Sequence, residues 1–277
     1  MFAENSAVKR ARFTTWLVEL ALPPVAFFAI VVALWQAATT VWELPAYLVP
    51  SPGRVWSAAR EHASDLLSAT RLTAGAALCG LAASLVSGTI LGVVFAQSRV
   101  IERSIYPYAI FLQTVPVVAI APLVVLWFGY GFASVVMVSF ILSLFPIITN
   151  ATAGLTRVDP RLIELFAIHN ASWVQVMAKL RLPNAVPYLV TGVKISCGLS
   201  VIGAIVGEMF AGYNTDRYGL GYLIRMTTER VDTAYAFAAV LASTAVSIAV
   251  FAAVTSIGTT ILARWHTIEP SKSAIER

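Results

Sequence analysis

Charge is what this chain has least of. Asp, Glu, Lys and Arg together make up 12% of its 277 residues, against roughly 25% in soluble domains. A water-soluble fold of this length needs a polar shell that these residues cannot supply, and the mean hydropathy of +0.80 points the same way. Cysteine is nearly absent. Cys79 and Cys197 both fall in apolar stretches, where they are small packing residues, and they supply no disulfide framework or thiolate metal spacing. The three histidines, His62, His169 and His266, are scattered without a ligand pattern. There is no G-x-x-x-x-G-K-[ST] phosphate loop and no nucleophile–base constellation. No catalytic residue, metal ligand or resident cofactor is therefore expected in this chain.

The apolar residues that are present come in long blocks. No charged residue occurs from Leu20 to Trp42, from Leu72 to Ser98, from Ser104 to Thr156 or from Thr233 to Ala263. A helix needs about 20 apolar residues to cross a hydrocarbon core of roughly 30 Å. The third gap holds 53 residues, enough for two crossings, with a glycine and aromatic turn, "WFGYGFAS", at its middle. A fifth block, from about Val186 to Gly212, is interrupted only by Lys194 and Glu208. The reading is an all-α membrane protein of about six spans: 14–37, 72–97, 107–127, 133–154, 186–212 and 235–262. A β-barrel is excluded because its strands alternate apolar and polar residues. The basic "VKRARFTT" ahead of the first block resembles a signal-peptide n-region, but the apolar run is long, carries Pro23-Pro24 and lacks a clear cleavage site, so a retained span is expected.

Lys and Arg are enriched on the cytoplasmic side of membrane proteins. Six spans put both termini on one side, and that side collects 13 of the 19 positive residues, counting Lys194 as snorkelling to it. The termini, residues 1–13 and 265–277, are thus expected in the cytoplasm. Membrane topology accounts for the net charge of +5, and no nucleic-acid partner is inferred. Pro116 and Pro146 are expected to kink the third and fourth spans. Gly88-x-x-x-Gly92 allows close helix approach in lipid, either within the bundle or at a dimer seam.

Ionisable or polar groups inside spans are the default candidates for a substrate path. Here these are Gln113, Thr114, Asn150, Lys194 and Glu208; interhelical hydrogen bonding is the competing role for the first three, while Lys194 and Glu208 lie close to span ends, where snorkelling toward water is cheap.

One polar segment breaks the apolar pattern: "RVDPRLIELFAIHNASWVQVMAKLRLP", within a loop of about 155–185. Asp159 and Pro160 are N-cap and first-turn residues. A short helix is expected to run to about His169 and to stop at Asn170, the non-glycine residue best suited to a left-handed cap. Ser172-Trp-Val-Gln175 fits a capping box, opening a second helix that ends before Pro183. The result is two short helices with an elbow. Two uses stand side by side: docking into a partner protein, or lying on the lipid surface.

This segment resembles the EAA loop of permease subunits of bacterial ABC importers: E-A-A, three residues, G, nine residues, I-x-L-P. Counting from Glu164, the glycine position is Asn170, the Ile position Leu180, and Leu-Pro is Leu182-Pro183. The departures are Leu165 and Phe166 for the two alanines, Asn170 for glycine and Leu180 for Ile. "LVPSPGRVW", "TVPVVAIAPLVVLWFGYG", "FPIITNATAGLTRVDPRLIE" and "YGLGYLI" are similar to permeases of the nitrate, sulfonate, taurine and thiamine-precursor importers. The resemblance implies a multi-pass subunit of the bacterial cytoplasmic (inner) membrane that forms the path for a small solute. It implies a second permease copy, an ABC ATPase dimer that binds ATP and Mg, and an extracytoplasmic substrate-binding protein. The EAA loop would sit between the fourth and fifth spans. Its contact residues would be Glu164, Ala167, Asn170, Ala171 and Ser172, with Leu182 and Pro183 behind them. An ATP-independent secondary transporter or channel is the alternative; it predicts internal repeats and paired broken helices, which this sequence does not show.

Overall fold

A computed structural model describes residues 2–98, 100, 103–104, 107–108, 111, 114–212 and 217–265, with side chains between residues 22 and 263. The described residues form helices: α1 (Phe2–Val41), α2 (Pro52–Glu61), α3 (Ala63–Gln97), α4 (Val117–Phe128), α5 (Phe132–Thr156), α6 (Pro160–Ile168), α7 (Trp173–Val176), a π-helical turn (Met177–Arg181), α8 (Leu182–Ala211), α9 (Leu220–Glu229) and α10 (Thr233–Trp265). Five stretches among them are long and apolar enough to cross a bilayer: Leu22–Val41, Ala63–Gln97, Phe132–Thr156, Trp173–Ala211 and Thr233–Ala263.

In the third expected span residues 107–108, 111 and 114 are helical, and the continuous described helix is α4, whose 12 residues reach about 18 Å. Pro116 does not kink a longer helix but stands at its N-cap with extended backbone, where a proline's fixed φ and missing N–H cost nothing. The expected start of this span, residues 107–113, lies largely outside the described residues, as do the C-terminal tail and the side chains of the N-terminal one. Pro146 is inside α5 as expected. The glycine turn is also as read: Gly129 (φ 83) and Gly131 (φ 133) reverse the chain between α4 and α5, at angles that side chains with a Cβ rarely adopt.

The chain divides into two compact units. The first comprises Met1–His62 and Thr227–Ala238. In it Leu22, Phe27, Phe28 and Leu34 of α1 are exposed, an arrangement that suits a hydrocarbon solvent. Trp35 and Phe237 rings meet at 5.8 Å, and His62 stacks on Tyr235 at 4.1 Å. Thr233 Oγ1 donates to the Tyr47 carbonyl at 2.6 Å.

The second unit, Ala63–Met226 with Ala239–Arg277, holds the helical core, and α5 is its centre. In lipid there is no hydrophobic drive between helices, so close packing and interhelical hydrogen bonds must hold them. Small residues supply both here. Ser139 of α5 lies between two glycines: a Cβ on Gly80 of α3 would collide with its Oγ, and one on Gly203 of α8 would come within 2.6 Å of its Cα. The Ser139 hydroxyl donates to the Ser200 carbonyl at 2.9 Å. One turn along, Ser84 and Ser143 hydroxyls meet at 2.7 Å, and Ser196 donates to the Ser143 carbonyl at 2.6 Å. Gly88 and Gly92 belong to the same seam. Added Cβ atoms there would sit 2.7 Å from Ile147 Cγ2 and 2.5 Å from Ala151 Cβ, so this pair packs inside the bundle and is not left open for a dimer seam. Cys197 is buried and Cys79 exposed.

Gly203→Val should therefore lower stability by about 1–3 kcal/mol, the usual cost of overpacking. Gly198, one and a half turns away with no atom within 4 Å of an added Cβ, should accept alanine without loss. Thermal unfolding of the two variants in detergent checks this. Equal midpoints would show that the α5–α8 contact is not tight.

Candidate functional site

The polar loop folds much as its residues dictate. Asp159 caps α6 by accepting from the Arg161 amide at 2.9 Å, with Pro160 in the first turn. The helix ends at Ile168. Asn170 takes φ 50, the left-handed conformation expected of it. Its amide donates to the Ala167 carbonyl at 3.0 Å and the Ala171 amide to Phe166 at 3.0 Å. That bond pair is a Schellman motif, so the carbonyls left open at the end of α6 find donors. Ser172 then opens α7 with a complete capping box. Its hydroxyl accepts from the Gln175 amide at 3.3 Å, and Gln175 Oε1 accepts from the Ser172 amide at 2.8 Å.

The second helix does not end before Pro183. From Trp173 the chain stays helical to Ala211, passing through the π turn, where the Leu182 amide donates to Met177, five residues back. The widened turn lies immediately before Pro183, whose ring would otherwise meet a carbonyl of the preceding turn and whose missing N–H would leave that carbonyl free. A π bulge takes up both defects, so the proline enters the first turn of α8 and does not stop the helix. The loop is thus a short helix, an elbow, and the exposed first turns of a long membrane-spanning helix.

The elbow carries an unpartnered apolar surface. No residue of α6 or α7 is buried. Ile168 is 77% exposed and Val174 64%, and Leu162, Leu165 and Trp173 are also exposed. Glu164, Ala167, Asn170 and Ser172 lie on this open segment, with Ala171 half-buried at its bend. Such a patch on a capped, preshaped turn suits a protein groove. Beyond it the chain is rooted in the bundle. Met177 and Leu180 are buried, and Met177 packs with Leu155 and Ala185 against Val93, Ala96 and Leu189. Leu182 stays partly exposed and Pro183 half-buried beside this root.

Two side chains at the root were not singled out from the sequence. Arg181 Nη1 donates to the Ala96 carbonyl at 3.1 Å. Asn184 Nδ2 donates to the carbonyls of Gly154, at 2.7 Å, and Arg157, at 3.1 Å. The only sequence signal was a polar pair flanking a proline at the mouth of an apolar block.

The residues expected along a substrate path do not converge. Gln113 lies outside the described residues. Thr114 is exposed, its hydroxyl donating to Phe111 at 2.7 Å. Asn150 is half-buried and bonds to the Pro146 carbonyl at 2.8 Å, next to the close approach of Gly192. Lys194 is half-buried on α8. Glu208 is fully buried. Instead of lying near water at the end of its span, it is covered by the chain folding back. Its Oε2 accepts from Thr73 Oγ1 at 2.9 Å and from the Gly221 amide at 2.8 Å, and Thr73 in turn accepts from the Leu220 amide at 2.9 Å. Gly219 sits so close that a Cβ there would strike the carboxylate. Arg225 adds a bond from Nη1 to the Met209 carbonyl at 2.7 Å. The glycine pair of "YGLGY" was the available signal for this lock. A groove of about 530 Å³ between α3, α8 and α10 is lined by apolar side chains such as Leu81, Leu189 and Ile257, and none of the expected path residues lines it.

Long apolar helices knitted by serine and glycine, with an exposed, capped, apolar elbow rooted in them, define a multi-pass membrane protein. The chain belongs to the family of binding-protein-dependent transport system inner membrane components, whose profile matches residues 88–267. It is an ABC importer permease subunit. It is 36% identical to a formylaminopyrimidine transport permease of Halalkalibacterium halodurans, over 84% of this chain and 92% of that one. It is 32% identical to a probable ABC transporter permease of Haemophilus influenzae, over 83% and 92%. Among solved structures, inward-facing MetNI methionine ABC transporter is similar at a TM-score of 0.60 with 17% identity, covering 72% of this chain and 95% of that one, a likeness of fold.

Replacing Glu208 with alanine should destabilise the fold by about 1–3 kcal/mol, because it strands the buried Gly221 amide. Lys194→Ala, at a half-buried site where the side chain's Cε lies 3.7 Å from a Cβ added at Gly258, strands no buried amide and should cost clearly less. Thermal midpoints in detergent test the ranking, and a reversed order would remove the structural role given to Glu208.

Proposed function

We propose that the elbow from Glu164 to Ser172 is the seat of an ATPase subunit, and that this chain imports a small solute by levering on that contact. The observation that carries the reading is the shape of the elbow. Apolar side chains stand exposed on a turn fixed by an N-cap, a Schellman motif and a capping box. A surface held rigid before binding loses little entropy when a partner covers it. Glu164, exposed at the middle of α6, supplies a polar contact. Ala167 and Ala171 let the partner's backbone approach.

On this reading two copies of the chain line the path, and the elbow and both termini face the cytoplasm. ATP and Mg are held by the partner ATPase dimer, and a binding protein delivers solute from outside. Closure of the ATPases pulls the elbows and rocks the bundles between inward-open and outward-open states. The loop would be the whole of the chemistry that this chain offers to ATP hydrolysis.

For the solute, we propose a thiamine-precursor pyrimidine or similar heterocycle. Permeases similar to this chain over most of their length include the formylaminopyrimidine protein at 36% and a riboflavin permease of Chloroflexus aurantiacus at 35%. An aliphatic sulfonate permease of Bacillus subtilis stands at 26% and a taurine permease of Escherichia coli at 28%. Calorimetric titration of the partner binding protein with heterocycles, sulfonates and nitrate decides between them. Binding of a sulfonate with no response to any heterocycle would reverse the assignment.

Glu164→Lys and Asn170→Pro should each lower ATP-driven uptake in proteoliposomes by at least about tenfold, equivalent to roughly 1.4 kcal/mol of lost coupling. Asn170→Gly keeps the left-handed elbow and should transport normally. Full uptake by the proline variant would count against the elbow as the ATPase seat.

A further inference from the structure

We infer that Arg181 and Asn184 form the joint through which movement of the elbow reaches the membrane-spanning helices, an inference that rests on the elbow's role as ATPase seat. Each α-helix ends with four carbonyls that have no donor within the helix. At the root of the elbow two helix ends meet: α3 finishes at Gln97 and α5 at Thr156. Both are held by side chains of the segment that joins the elbow to α8. Arg181, the last residue of the π turn, donates to Ala96, one residue from the end of α3. Asn184, in the first turn of α8, donates to Gly154 in the last turn of α5 and to Arg157 just beyond it.

Three features make this a joint and not merely a pair of caps. The first is position. The Asn184 bond to Arg157 ties together the two roots of the loop, where the chain leaves α5 and where it enters α8. A displaced elbow therefore moves both at once. The second is stiffness. Gly154 lets the α5 backbone press on α8, with an added Cβ falling 2.7 Å from Ala185 Cα. The atoms nearest that added Cβ are Cα and Cβ of Ala185 and Cβ of Tyr188, all within 3.1 Å, so the two helices meet close to their backbones. The third is the π turn itself. Turns of this kind are rare and concentrate at functional positions, and this one places Arg181 where the exposed elbow gives way to the buried helix. The short Asn amide reaches the nearer helix end. The long guanidinium reaches the further one, across a contact that the apolar Met177, Leu155 and Ala185 group seals.

The assignment separates docking from transmission. Residues 164–172 would hold the ATPase. Arg181 and Asn184 would touch no partner, yet decide whether its stroke moves α3 and α5.

The test uses the complete chain reconstituted with the ATPase that co-purifies with it, in proteoliposomes. Arg181→Met and Asn184→Leu should retain the ATPase at the wild-type ratio and hydrolyse ATP. Solute taken up per ATP should fall about tenfold, the factor for roughly 1.4 kcal/mol of lost hydrogen bonding, from one charged donor in Arg181 or two neutral bonds in Asn184. Arg181→Lys, which keeps a donor, should recover most of the loss. A fold defect alone would lower uptake and hydrolysis together and leave their ratio unchanged. In the unmutated joint, spin labels at the exposed positions Lys179 and Gln97 should keep one separation through ATP binding and hydrolysis.

Unchanged uptake per ATP in both variants would overturn the joint, as would a label distance that shifts with nucleotide, or loss of the ATPase from Arg181→Met. A wild-type chain that recruits no ATPase would instead overturn the elbow's assignment, and the joint with it.

Discussion

The whole bundle depends on how closely α5 approaches its two neighbours. In water, three apolar helices would be driven together by burial. In a bilayer, hydrocarbon already surrounds them, and association must come from contact distance and satisfied polar groups. Ser139 between Gly80 and Gly203 is where this condition is met most strictly. Any side chain on either glycine would lift a helix off α5 and with it the hydroxyl bonds at Ser139, Ser143 and Ser196. Close packing of this kind resists small deformations. The three helices are therefore held together as one closely packed group.

Both ends of that body are closed by polar side chains. At the elbow end, Arg181 and Asn184 collect the open carbonyls of α3 and α5. At the other, Glu208 and Thr73 take the amides of Gly221 and Leu220, and Arg225 covers the Met209 carbonyl. The Asn184 and Glu208 contacts are made by α8 itself, and the Arg181 contact by the π turn that leads into it. α8 thus follows the exposed elbow and ends in the Glu208 lock, with a hydrogen bond to α3 near each end.

What could be read beforehand follows from which forces act locally. Charge gaps located the long helices because the bilayer's demand for apolar side chains falls on each residue separately. Asp159, Asn170 and Ser172 were legible for a similar reason: caps and left-handed turns are settled by a residue and its near neighbours. Long-range partners were not. Arg181 resembled any positive residue near a membrane surface, because its acceptor is Ala96, 85 positions away. Glu208 resembled a carboxylate near water, because Leu220 and Gly221 bury it only once the chain folds back. Pro183 misled in another way. A proline stops a helix unless the turn before it widens, and nothing in "MAKLRLP" shows that the π turn is there.

The departures from the EAA pattern can be sorted by what they touch. Asn170 occupies the glycine position, at φ 50, where a Cβ costs about 1–2 kcal/mol that Asn partly recovers through local hydrogen bonding. Geometry is kept there, and only a modest cost is added. Leu165 is about half exposed. Leu180, at the Ile position, is buried in the root, where one aliphatic replaces another of equal volume. So the departures at Asn170 and Leu180 keep the kind of residue the fold needs there: one that tolerates the left-handed turn and a buried aliphatic. What varies is the open face around Leu165 and Phe166, where two large apolar side chains stand in place of alanines. On the proposed reading of the elbow as an ATPase seat, bulk there alters which surfaces fit against it without altering how the loop folds. Discrimination between partners would then reside at positions that the fold leaves free, and transmission at positions it constrains.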